Sequence, residues 1–234
     1  MRVKLTTFLV LIPMLMWSQD NLLETNFSEV DSIYREDQFY LGVGINFLID
    51  KPSEMSQSGL SGGIHFGYIR DMPFNTQRNI GIGVGIGLSI DTYSQNLFIG
   101  ESTSGESIFD VIDNDVEYSR NRFATHVLEM PIHFRWRTSQ IGDDTSFWRI
   151  YTGFNIGYMY YFNSVFEQEN NKVSQTKLDE LNRMRLAFYF SFGKSKINFF
   201  LRYSLNSIFD AKLKDTNLPV NINVIRAGLV FYIL

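Results

Sequence analysis

IGIGVGIGLSID, residues 80–91, puts glycine at every second position and a large aliphatic residue at each position between. Three structures compete for such a pattern: a phosphate-cradling loop, a flexible linker, or a strand with one greasy face and one bare face. A phosphate loop of the form G-x-G-x-x-G needs its third glycine three residues after the second, opening a helix. Here the spacing stays at two through Gly87, and the alternation continues through Ser89 and Asp91. A linker has no reason to hold Ile80, Ile82, Val84, Ile86, Leu88 and Ile90 in register. The stretch predicts a strand, whose side chains point alternately to opposite faces. Its bare face suits the inside of a small barrel, where glycine on one wall leaves room for Arg and Tyr from the opposite wall.

The same period of two recurs along the chain. In residues 37–50, Phe39, Leu41, Val43, Ile45 and Phe47 alternate with Gln38, Tyr40, Gly42, Gly44 and Asn46. It returns in 59–70, 122–137, 147–162, 182–192, 196–206 and 223–234. With residues 80–91 this makes eight strands, an even number, each long enough to cross a bilayer at a tilt. The connections 71–79, 139–146 and 193–196 are short. Those at 51–58, 94–121, 164–180 and 210–221 are mostly longer and polar, the alternation of turns and loops expected of an outer-membrane barrel.

Which face is apolar separates a soluble barrel from a membrane one, since soluble barrels are greasy inside and charged outside. The large-residue face holds almost no charge, with His126, near a strand end, the ionisable exception. The opposite face collects Arg135, Arg149, Arg183, Arg185, Arg202, Arg226, Glu129 and Asp91. Glycine runs on a solvated surface would waste strand stability. The expected fold is therefore an all-β, eight-stranded antiparallel up-and-down transmembrane barrel over 37–234. Trp136 and Trp148 would flank the apolar band on the periplasmic side, and Tyr158 and Tyr160 on the outer side.

Composition narrows the setting. The chain has 234 residues, 21 Phe, 12 Tyr, 17 Gly and no Cys, so disulfides and thiol chemistry are excluded. A net charge of -4 argues against nucleic acid as a partner. Past the N-terminus no apolar run of about 18 residues exists for a spanning helix. Residues 1–19 carry Arg2 and Lys4, an apolar core from Leu5 to Trp17 and then Ser18, the pattern of a cleaved signal peptide. Residues 20–36 then form a short periplasmic lead-in, and the N-terminus of the barrel faces the periplasm.

LEMPIHFRWR, residues 128–137, resembles the L-E-aliphatic-P strand of the PorT-like outer-membrane β-barrel proteins of Bacteroidota. The resemblance covers roughly Phe39 to Leu234. It implies a barrel of the outer membrane; the best-known members assist type IX secretion, and most are simply called porin-like. The C-terminal RAGLVFYI resembles the signal read by the barrel-insertion machinery through Arg226, Gly228, Phe231 and Ile233, although the chain ends on Leu234 rather than an aromatic residue.

Three motifs hint at chemistry, and each has a plainer explanation. GLSGG at 59–63 matches a nucleophile elbow, but Ser61 starts a strand rather than a strand-to-helix turn. His126 lacks a same-face Ser or Glu beside it. Asp110, Asp113, Asp115 and Glu117 lack the glycine of a calcium loop and suit a solvated acidic loop. No catalytic set, metal site or cofactor is expected. Glu129 near mid-depth, with Arg135, Arg185, Arg202 and Arg226, predicts a structural charge cluster in the lumen, because a buried charge without a partner is expensive. The expected function is non-enzymatic, structural or accessory, through the outer loops or as a membrane-embedded subunit. The expected partners are outer-membrane lipid, the insertion machinery and other outer-membrane or secretion-system proteins. A type IX accessory, a narrow channel and a lipid A-modifying enzyme are the alternatives.

Overall fold

The alternating stretches become staves of a closed wall. The computed structural model describes residues 36–75, 77–113, 115–138 and 147–233; the expected signal peptide and the lead-in up to residue 35 lie outside the described residues. In chain order the strands are β1 (Glu36–Ile49), β2 (Gly62–Pro73), β3 (Ile80–Ser94), β4 (Leu97–Glu101), β5 (Ser107–Val111), β6 (Arg120–Arg137), β7 (Trp148–Gln168), β8 (Asn171–Gln175), β9 (Met184–Lys194), β10 (Ile197–Ser204) and β11 (Asn223–Ile233). β4 and β5 form a separate hairpin, and β8 folds back on β7. The other eight pair antiparallel with their chain neighbours, and β1 meets β11 from Phe39–Ile233 to Ile49–Asn223, which closes the ring.

The faces divide as the alternation predicts. On β1, Phe39, Leu41, Val43, Ile45 and Phe47 are 43–61% exposed, whereas Gln38, Tyr40, Asn46 and Leu48 are at most 6% exposed. Large apolar residues outside and polar ones inside invert the pattern of a soluble barrel. On β6 the outward run from His126 to Trp136 climbs about 34 Å along the strand, or roughly 24 Å at a tilt near 45°, close to the apolar band of a membrane barrel.

The strand ends Pro73 and Ile80, Arg137 and Trp148, and Lys194 and Ile197 lie at one end, the turn end; Ile49 and Gly62, Ser94 and Arg120, Gln168 and Met184, and Ser204 and Asn223 lie at the other, the loop end. Strands extend further than the sequence suggests. β2 runs to Pro73, so Asp71, expected in a turn, is a fully buried residue of the inner face. β7 runs to Gln168 because β8 supplies a partner beyond the barrel proper. The register of β6 on β7 slips at His126/Val127, where His126 opposes Tyr161, Val127 opposes Met159 and Tyr160 is the extra residue. This bulge turns Tyr160 and Tyr161 both outward and reverses the phase, so Phe162, Ser164 and Phe166 point inward.

The bare face of β3 is a floor. Tyr40 of β1 leans across Gly67 of β2, its Cα partner, and its hydroxyl lies where a methyl on Gly87 of β3 would be. A methyl on Gly83 would stand 2.8 Å from Cδ of Arg135, and one on Gly42 would collide with the His65 ring. The side chains that need the room come from strands one or two away, not from across the bore as expected. They lie along the wall because their Cα atoms sit only one or two strands away, and the missing Cβ lets them fold flat. The three atoms nearest the absent Gly42 side chain all belong to His65. Gly42→Val should therefore lower stability by about 1–3 kcal/mol. In a His65→Ala background the same change should cost less than half as much. Urea unfolding of the four members of this cycle in lipid vesicles, followed by tryptophan fluorescence, checks it.

Candidate functional site

The bore is filled by three tiers of charge. Nearest the turn end, Asp71 of β2 takes two arginines of β6. Arg135 Nη1 lies 3.4 Å from Asp71 Oδ2, and Arg137 donates to the same oxygen. Arg135 Nη2 donates to Gln38 Oε1 at 2.8 Å, and its guanidinium sits 4.1 Å from the centre of the Tyr151 ring. Arg149 stacks over Phe147 at 4.4 Å. Desolvated cation–π contacts of this kind contribute about 2 kcal/mol each.

In the middle tier Arg202 of β10 reaches Glu129 of β6, Nη2 donating to Oε1 at 2.6 Å. The other carboxylate oxygen accepts from Asn155 Nδ2 at 3.1 Å, and Asn155 Oδ1 accepts from His133 Nε2 at 2.8 Å. His133 stacks on Tyr189 with ring centres 4.3 Å apart. The third tier joins Asp91 of β3 to Arg226 of β11 by a direct ion pair. Asn46 Nδ2 and Ser89 Oγ donate to Asp91 at 2.9 and 2.8 Å, and Arg226 Nε donates to Asn46 Oδ1 at 2.8 Å. Between the second and third tiers lies a cavity of about 50 Å³, lined in part by Glu129, Arg202, Asp91 and Arg226.

Glu129, Arg135, Arg185, Arg202 and Arg226 thus do not form a single cluster. Glu129 bonds Arg202 alone among them, Arg226 belongs to Asp91, and Arg135 to Asp71. Arg185 donates to the backbone carbonyls of Ser207 and Asn206, at 2.5 and 2.9 Å, and so ties the wall to the chain after β10. Asp71 and Arg137 are the members that sequence reading misses. The signal for Asp71 is present, since it continues the inward series His65, Gly67, Ile69, but Met72 and Pro73 after it read as a turn.

Above the third tier the bore turns apolar. Phe209, from the connection after β10, is wholly buried and packs against Phe109 of β5, Phe123 of β6 and Phe162 of β7 at ring separations of 5.4–5.8 Å. Leu97 and Ile99 of β4 are buried in the same cluster. Loops expected to be polar therefore fold inward over the bore, on apolar residues too irregularly spaced to show a period.

The other residues singled out have structural places. Ser61 Oγ accepts from the Ser94 amide at 2.9 Å, pinning the start of β2 to the end of β3. His126 stacks against Tyr161 at 4.5 Å. Asp113, Asp115 and Glu117 are exposed, and Asp110 lies in β5. Trp136 and Trp148 lie outward near the turn end, and Tyr158 and Tyr160 outward toward the loop end. In the C-terminal motif Gly228 pairs with Gly44, Phe231 with Leu41 and Ile233 with Phe39, all on the closing seam.

Eight antiparallel strands, an apolar outer band and a bore packed with paired charges define a transmembrane β-barrel. Residues 17–211 match the family described as outer membrane protein beta-barrel domain, and the chain belongs to that family. Its place is the outer membrane. No curated protein matches it.

Removing one partner of a buried ion pair leaves the other uncompensated, a loss of about 3–5 kcal/mol. Glu129→Gln should show a loss of this size in urea unfolding, because Arg202 is left facing a neutral amide. The double change Glu129→Met with Arg202→Met should cost far less.

Proposed function

We propose that this barrel neither carries out chemistry nor passes solutes, and acts as a structural or accessory protein of the outer membrane. The observation that carries this reading is the filled bore, in which three paired tiers are followed by a Phe209-centred plug. The cavity between the tiers, about 50 Å³, has room for a few waters and not for a substrate. A general acid or base must come within hydrogen-bond reach of a substrate. Glu129 and His133 are at most 3% exposed and direct their bonds to Arg202 and Asn155. What remains accessible is the lipid-facing wall and the outside of the loops, so function runs through these surfaces. In this reading a signal peptide is cleaved near residue 19, the turn end faces the periplasm and the loop end faces outward.

The finer reading is a PorT-type accessory of type IX secretion. It rests on the L-E-M-P sequence at 128–131, whose Glu129 is the acid of the middle tier. Two measurements test the proposal. In planar bilayers the purified barrel should give no conductance steps; sustained porin-sized openings would overturn the closed-bore reading. Affinity purification from native membranes in mild detergent then separates the two roles. Secretion components at stoichiometric yield support the finer reading, whereas a lone barrel leaves the general one.

A further inference from the structure

On the wall formed by β3, β6, β7 and β8 the outward rows can be followed across strands. Ile90, His126 and Tyr161 make the last aromatic-rich row toward the loop end. The next is Thr92, Ala124 and Asn163, and the one above it Ser94, Arg122, Val165 and Ser174. The last is Arg120, Glu167 and Lys172. The surface therefore changes from apolar to polar in a single row and becomes basic in the next two. Arg122 lies four residues from His126 along β6, about 10 Å higher at the tilt of a membrane strand. An arginine covers part of that distance with its stem while its charge stays at the polar boundary.

Glu167 is the one acid in these rows. It is held by Lys172 at 3.0 Å and Arg120 at 3.3 Å. The hydrogen bond from Lys172, with Arg120 beside it, keeps the Glu167 carboxyl below its ordinary range, so it stays ionised. Within these rows three cations and one anion leave an excess of two positive charges, with exposed Glu169 in the turn beyond them. Arg122 is exposed and acts on Glu167 from beyond ion-pair distance. The excess stands out against a chain of net charge -4, whose other loop-end residues include exposed Glu101, Glu106, Asp113, Asp115 and Glu117. On the far side of the barrel, at the same end, the rim carries Asp50 hydrogen-bonded to Asn223.

We infer that Arg120, Arg122 and Lys172 form a binding surface for the phosphate headgroup of an anionic lipid, whose acyl chains lie against Tyr160, Tyr161 and the apolar wall below. Position selects a lipid over a soluble anion, since the cations sit directly above the apolar band. A headgroup is held there by its own chains, whereas free phosphate would gain only screened charge. The two outward tyrosines created by the bulge supply flat, amphipathic surface at headgroup depth.

The test reconstitutes the full barrel in phosphatidylcholine discs doped with phosphatidylglycerol and counts lipids retained on release by native mass spectrometry. Phosphatidylglycerol should be retained in preference to phosphatidylcholine. Arg122→Gln with Lys172→Gln should weaken that preference about tenfold or more, since each basic residue at an anionic surface contributes about a factor of five. Glu167→Gln should strengthen it. Lys194→Gln with Lys196→Gln, at the turn end, should leave it unchanged, and a heat-modifiable gel shift confirms that every variant is folded. Equal retention by the Arg122/Lys172 variant, an equal loss in the Lys194/Lys196 variant, or displacement of the lipid by millimolar inorganic phosphate would each overturn the assignment.

Discussion

A bore only eight strands wide holds side chains and almost no solvent, and that constraint organises the rest of the molecule. Charges inside it cannot rely on water, so each of these acids is matched to an arginine, and Glu129 and Asp91 also accept from an amide or hydroxyl. Asp71 with Arg135, Glu129 with Arg202 and Asp91 with Arg226 span different strands, so each tier also braces the cross-section of the ring. The long side chains that do this need somewhere to lie. The glycines of β1, β2 and β3 provide the space, and an odd sequence pattern follows directly from the electrostatics of a narrow tube.

Much of this is legible in the sequence because a strand writes its two faces into the chain at period two. Phe39 through Phe47 and Ile80 through Ile90 declare an outer face, and the inward arginines declare a polar interior. What period two cannot carry is depth. Glu129 and Arg135 are both inward on β6, yet six residues along a tilted strand place them in different tiers with different partners. Asp71 was hidden because Pro73 marks the end of β2 but says nothing about the residue two before it. The slip at Tyr160 left no trace either, since Tyr-Tyr at 160–161 reads equally well as a strand end or a girdle.

The cap was illegible for another reason. Phe109, Phe209 and Leu97 come from connections far apart in the chain, and no local pattern announces that they converge. Only the closed ring brings them together, over a mouth that would otherwise expose apolar rings to water. The plug is thus an ordinary hydrophobic core built on the end of a membrane protein, driven by water that the rest of the wall never meets. Polar tiers inside the membrane and an apolar core outside it make the two halves of the molecule opposites in what holds them together.

The seam between β1 and β11 carries a kinetic consequence. Every other wall pair joins neighbours in the chain and can zip as a hairpin or after one loop, but Phe39 must find Ile233 across nearly the whole described sequence. Of the wall pairings this one closes the longest stretch of chain and has the largest single closure cost. Until it forms, β1 and β11 are open edges in lipid, each exposing a row of unpaired backbone groups. The Gly44–Gly228 pair sits in the middle of that seam, with no side chains to obstruct the approach of two strands that meet last. Topology thus makes the joining of the first and last strands the expected final step of assembly.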